Sequence, residues 1–186
     1  MAFVEDRLRW DVSPEFVTAG SGRRRGDAVV DVQIKTFRPI HVARVRHVGP
    51  YADVDPCFER LFKWAADINA PTGRVLTLSW DDPGNVAPER LRFDACVELH
   101  THEVPPPGIE LGPVGGGRCA VYRLSGPYEG IAPAYRKLFG EWLPGSGESK
   151  DDRPCMELYR KSRMDTPPEH LSTDLCVPLC AAATEE

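Results

Sequence analysis

The strongest constraint on this chain is a stretch that occurs twice. Residues Arg46-His47-Val48-Gly49-Pro50-Tyr51 return as Arg123-Leu124-Ser125-Gly126-Pro127-Tyr128, an offset of 77 residues. The register holds without a gap well beyond that motif: Ala43 matches Ala120, Pro56 matches Pro133, Phe58 matches Tyr135, Leu61 matches Leu138 and Phe62 matches Phe139. Further on, Asp94-Ala95-Cys96-Val97 reappears as Asp174-Leu175-Cys176-Val177 at an offset of 80, the extra residues falling in loops. A period this long in two copies is not a solenoid, whose units are roughly 20–50 residues and number at least three. It is an internal duplication, and it predicts a pseudo-two-fold axis.

Each copy reads as strand, turn, helix and two strands. In the first, Val32-Gln33-Ile34 and Ile40 to Val48 read as extended chain interrupted at Pro39, and Gly49-Pro50 turns it. Val54, Phe58, Leu61, Phe62 and Ala65 then mark one face of an amphipathic helix, with Pro56 in its first turn. Val75 to Trp80 and Leu91 to Leu99 are two strands joined by the turn residues Asp81-Asp82-Pro83-Gly84. In the second copy Arg118 to Leu124 is the strand, and Ile131, Tyr135, Leu138, Phe139 and Trp142 repeat the helical face, which Pro144 and Gly145 are expected to stop. Cys155 to Lys161 and Thr173 to Leu179 close the copy.

This organisation predicts an α+β fold: a duplicated βαββ unit forming one antiparallel sheet, two main helices on one face and a ligand cleft on the other. The expected boundaries are an N-terminal extension and linker over 1–31, a ligand-binding domain over 32–180 with repeats at about 32–104 and 109–180, and a tail over 181–186. A further expectation is that 39–98 superposes on 116–178 through a near two-fold rotation, Gly49 over Gly126 and Pro56 over Pro133.

Composition removes several function classes. The chain has 186 residues, 41% of them hydrophobic, enough for a real core. A net charge of −5 argues against a nucleic-acid surface, since the one dense basic run, Arg23-Arg24-Arg25, reads as a solvated linker. No window reaches the apolar length of a membrane span, and Glu5 and Asp6 stand where a signal peptide would be basic. The expectation is a cytoplasmic protein without membrane contact. Cys57, Cys96, Cys119 and Cys176 lie in apolar-patterned elements and read as small hydrophobes; with no CxxC pair, a zinc site is not expected. His100-Thr101-His102 would need another convergent ligand to hold a metal. Gly115-Gly116-Gly117 precedes a strand rather than a helix, which argues against a phosphate cradle, so no cofactor is expected.

In Cys155-Met156-Glu157-Leu158-Tyr159 the period of two places Glu157 and Tyr159 on one sheet face, Met156 and Leu158 on the other. Were Met156 and Leu158 to meet the helices, the carboxylate would point into the open cleft; the alternative is a solvated glutamate. Aromatic wall candidates are Tyr51, Trp80, Tyr128, Trp142 and Tyr159. Trp142 also continues the apolar face of the second helix, and Tyr51 and Tyr128 sit where they would pin turns.

Taken in order, His47-Val48-Gly49-Pro50-Tyr51, Tyr135 to Pro144, Cys155-Met156-Glu157-Leu158-Tyr159 and Asp174 to Leu179 resemble the GyrI-like small-molecule-binding domain, of SOUL/GyrI-like fold, which also serves as the effector-binding part of AraC-type and MerR-type multidrug regulators. The resemblance implies a pocket between the repeats and an acidic residue, matching Glu157, that receives lipophilic cationic or aromatic compounds, with Glu157, Tyr159, Trp142, Tyr51, Tyr128 and Trp80 as ligand-binding candidates. It also implies two other activities for comparison: hydrolysis of the cyclopropane of DNA-alkylating natural products, with Glu157 as base and Tyr159 or Tyr128 polarising a carbonyl, and a protein-interaction role such as restraint of DNA gyrase, with gyrase or a regulator as the protein partner. Direct binding to nucleic acid is not expected.

Overall fold

A computed structural model describes residues 31–181. The N-terminal extension, with its arginine run, and the tail expected over 181–186 fall outside the described residues apart from Asp31 and Ala181. The elements in chain order are β1 (Val32–Phe37), β2 (Ile40–Val48), α1 (Asp55–Asp67), β3 (Thr72–Ser79), β4 (Arg92–Leu99), β5 (Glu110–Val114), β6 (Gly117–Ser125), α2 (Ile131–Lys137), α3 (Leu143–Ser146), β7 (Cys155–Tyr159) and β8 (Ser172–Pro178). The class is α+β with antiparallel strands, and no helix among the described residues is long and apolar enough to cross a membrane.

The described chain divides into two compact units, one of residues 39–114 and one of 31–38 with 115–181. In the first unit the strand order is β3-β4-β2-β5; in the second it is β7-β8-β6-β1. Each unit therefore runs second strand, third strand, first strand of its copy, and each ends on a strand contributed from just outside that copy. β5 pairs with β2 through Ile40↔Val114 to Arg44↔Glu110, whereas β1 pairs with β6 through Val32↔Tyr122 to Phe37↔Gly117. β1 lies one repeat offset before β5, so the chain exchanges its first strand: the segment preceding the first copy completes the second unit. Sequence reading missed β5 because Gly112 and Pro113 interrupt its pattern. Pro113 is tolerated there because β5 is the terminal strand of its unit's order, a position where a missing N–H removes little.

Equivalent physics closes both turns. Gly49 and Gly126 adopt φ of +140° and +117°, which side-chain-bearing residues avoid, and each donates its N–H to the carbonyl of Leu91 or Leu171 at 2.9 Å. After the turn α1 lays Leu61, Trp64 and Ala65 on β2 and β4. In the second unit Ala134 and Leu138 pack with Ala120, Cys155, Leu175, Val177 and Leu179, and Ile131, Tyr135 and Trp142 close around them. Leu61 and Leu138, matched by the 77-residue offset, are both 1% exposed.

The second helix does not stop at Pro144. A π turn over Leu138–Trp142 widens the helix, Pro144 enters the first positions of α3 where a missing N–H is harmless, and the chain ends the helix at Gly147 with φ +75°. The i→i+5 bonding of the π turn is what lets the proline be absorbed.

Each unit buries a carboxylate on the sheet face away from its helix. Asp94 is held by Arg46 through Nε and Nη2 and by the Trp80 indole N–H at 2.9 Å. Asp174 accepts from Arg123 Nε at 2.7 Å and from Arg160 Nε at 2.8 Å. Trp80 and Arg160 are offset counterparts, so the third donor has changed from indole to guanidinium while the carboxylate stays. Burial alone would push the Asp174 carboxyl up, but the Arg123 hydrogen bond and the charges of Arg160 and Arg123 outweigh it and hold the carboxyl below its ordinary value.

Two outcomes follow for stability. Gly126→Ala meets no neighbour within 4 Å, so its loss, about 1–3 kcal/mol in a denaturant melt, is backbone strain alone. A depressed carboxyl stabilises the fold fully above its unfolded pKa near 4 and loses that contribution as pH falls through the lower folded value. Asp174→Asn should therefore cost roughly 3 kcal/mol at pH 7 and flatten the fall in stability below about pH 4; urea melts at pH 7 and in stepped acid buffers check both.

Candidate functional site

The site is built on β7. The Met156↔Cys176, Glu157↔Leu175, Leu158↔Asp174 and Tyr159↔Thr173 register makes each pair share a sheet face. Cys155 and Leu175 belong to the core under α2, so Cys155, Glu157 and Tyr159 face that helix, and Met156 and Leu158 lie on the face of Asp174. This corrects the expected placement: in its unit the carboxylate lies on the helix-covered face, not the opposite one, because the apolar residues of β8 that meet α2 are Leu175 and Val177 rather than Asp174 and Cys176.

Glu157 is 7% exposed and its Oε2 accepts a hydrogen bond from the Tyr159 hydroxyl at 2.9 Å. The Tyr128 ring, brought in by the Gly126-Pro127 turn, lies 5.3 Å from the Tyr159 ring at 52°. Burial pushes the Tyr128 phenol up, Arg163 opposes this and Glu157 adds to it. From α2 comes Tyr135, whose ring stacks on Phe139 at 6.0 Å and whose hydroxyl is buried. Burial, then the neighbouring Glu157, pushes the Tyr135 phenol well above its ordinary value. Sequence reading did not single out Tyr135 as a site residue. Its place in the helical apolar stripe hid it, and the signal was its position seven residues after Tyr128 of the Gly-Pro-Tyr motif.

Glu157, Tyr159 and Tyr128 are thus brought together in the second unit. Trp142 belongs to the same unit but packs on the core around Leu138 and Val177. Tyr51 and Trp80 belong to the first unit, where Tyr51 donates its hydroxyl to the Asp81 carbonyl at 2.8 Å and rests on Phe93 at 5.1 Å. Trp80 is occupied by Asp94 and carries Arg46 over its ring at 5.0 Å. A cavity of about 310 Å³ lies in the first unit, lined by Arg44, Val45, Arg46, Arg60, Asp94, Gly108 and Glu110. None of its lining residues was expected in the site. Arg44 is paired with Glu110 at 2.7 Å and Arg46 with Asp94, so the cavity is polar and largely self-neutralised.

The His100 ring meets His41 at 5.9 Å, and among the described residues no group of three or more His, Cys, Asp or Glu is arranged to hold a metal ion. The cysteines are all free thiols among the described residues. Burial pushes Cys119 up to about 11 and Cys155 up to about 12, which makes them inert packing groups at neutral pH.

Known proteins are similar to this chain in sequence or in fold. A probable transcriptional regulator, YgiV, of Escherichia coli K12 is 30% identical over 155 residues, covering 81% of this chain and 96% of the relative. A DNA gyrase inhibitor of Edwardsiella ictaluri is 33% identical over 127 residues, covering 66% of this chain and 80% of the relative. Among solved structures, EcmrR in its DNA complex matches with a TM-score of 0.70 at 13% identity, over 80% of this chain and 57% of that one. SAV2435 bound to tetraphenylphosphonium matches with a TM-score of 0.53 at 10% identity, over 81% of this chain and 94% of that one. The model of the GyrI-like small molecule binding domain matches residues 30–179, and this chain belongs to that family.

Proposed function

We propose that the group formed by Glu157, Tyr159, Tyr128 and Tyr135 binds lipophilic cationic small molecules with aromatic character, as a drug- or toxin-binding domain. The observation that carries the reading is a carboxylate only 7% exposed, set on the helix-covered face of β7 among tyrosine rings. A delocalised cation loses little hydration on entry, gains Coulomb attraction from a carboxylate in a low-dielectric setting, and gains about 0.5–2 kcal/mol from a ring face it covers. A neutral aromatic gains only the ring contacts. That SAV2435 takes up tetraphenylphosphonium on a similar fold supports the choice of ligand class.

A second reading is hydrolysis of an activated cyclopropane. The nearness of Tyr128 to the Glu157–Tyr159 pair favours it, because Glu157, oriented by the Tyr159 hydroxyl at 2.9 Å, is a proton acceptor and the Tyr128 phenol beside it can polarise a carbonyl. Glu157 would take a proton from the attacking water, the ring carbon bond would break toward the carbonyl, and the resulting enol would be reprotonated with net addition of one water.

Glu157→Gln separates these readings. It keeps the shape and the acceptor for Tyr159 while removing the charge. By calorimetry, tetraphenylphosphonium should bind at least about thirtyfold more weakly to the variant, as loss of a buried charge partner costs upwards of about 2 kcal/mol, and a neutral aromatic of similar size should be little changed. Equal weakening of both would remove the carboxylate from ligand recognition. For hydrolysis, a cyclopropane-bearing alkylator should gain the mass of one water with the native chain and not with the variant; an unchanged mass with the native chain removes the enzyme reading.

A further inference from the structure

Two hydroxyls on the helix-covered face of the second unit are buried without a hydrogen-bond partner among the described residues: Tyr135 Oη and Thr173 Oγ1. Thr173 is 0% exposed and is the register partner of Tyr159, whose own hydroxyl is committed to Glu157. Tyr135 comes from α2 against the same face, close enough to Glu157 for the carboxylate to raise its phenol further, so the Tyr135 O–H keeps its proton at neutral pH. Folded proteins satisfy the great majority of buried polar groups, and an orphaned donor in a low-dielectric setting is costly to retain. Core packing does not require this oxygen, because a phenylalanine would fill the same apolar position and stack on Phe139 equally well.

We infer that Tyr135 is a specificity-determining residue, whose buried hydroxyl donates to a hydrogen-bond acceptor carried by the ligand, so that the site selects cations bearing a carbonyl or similar oxygen over equally lipophilic cations without one. The inference rests on the reading of Glu157 as the cation-binding group and narrows the ligand class: positive charge for Glu157, an acceptor for Tyr135. A site built to donate to an acceptor discriminates against an isostere lacking it, because the isostere leaves the donor buried and unmet. Thr173 Oγ1 offers a second, smaller contact on the same face, able to donate or accept.

The test uses two aryl phosphonium cations of matched size, (4-acetylphenyl)triphenylphosphonium with an acceptor and (4-isopropylphenyl)triphenylphosphonium without. Calorimetry is run on the native chain and on Tyr135→Phe. The native chain should prefer the acetyl cation by about five- to tenfold, the worth of one buried hydrogen bond, and Tyr135→Phe should bring the ratio of the two affinities to about one, whatever the variant does to each affinity. The thermal midpoint of ligand-free Tyr135→Phe should be equal to or above that of the native chain, since an unmet donor has been removed. A native chain with no preference, a preference that survives in the variant, or a midpoint lowered by several degrees would each overturn the inference. If neither cation binds the native chain, the cation-binding reading itself fails, and this inference falls with it.

Discussion

A two-residue alternation along β7 and β8 sorts the ionisable groups of the second unit onto opposite faces, and the account of the site depends on it. Leu175 and Val177 must meet α2 to build the core, so their strand neighbours Asp174 and Cys176 are sent to the other face. Cross-strand register then fixes Glu157 and Tyr159 on the helix side. Burying Asp174 is tolerable because Arg123 and Arg160 converge on it, while Glu157 is buried with the Tyr159 hydroxyl on its carboxylate. One packing constraint thus puts the buried carboxylates of Asp174 and Glu157 on opposite faces of neighbouring strands.

The duplication explains why the two units differ in chemistry while sharing strand order. At the 80-residue offset Glu157 corresponds to Thr77, Tyr159 to Ser79 and Arg160 to Trp80. Thr77 is buried, as Glu157 is, so the position is enclosed in both units and only the second places a carboxylate there. Tyr51 and Tyr128 are likewise matched, yet Tyr51 is tied to a backbone carbonyl and Phe93, whereas Tyr128 meets Tyr159. The strand order is repeated and the side chains at these matched positions are not.

Much of this was legible in the sequence. The Gly-Pro turns, both helices and six of the eight strands follow from periodicity and from residues with narrow backbone preferences, and β1 from its β-branched start. Three features were not. β5 was hidden by Pro113, acceptable only because of where the strand sits; the run through Pro144 depended on a π turn, which no local pattern announces. The exchange of β1 is a long-range choice between equivalent edges. In the site, the pairing of Glu157 with Tyr159 could be read from alternation, but the face they occupy is decided by β8, and Tyr135 reads as core until its hydroxyl is seen to be unmet.

A crystal structure of the chain grown with tetraphenylphosphonium tests the central claim most directly. The account predicts the phosphorus centre within about 6 Å of a tyrosine ring face, beside the Glu157 carboxylate on the α2 side of β7, with Tyr128 and Tyr159 against its phenyl groups. A cation seated instead in the polar cavity lined by Arg44, Arg46 and Glu110, with Glu157 untouched, would contradict it.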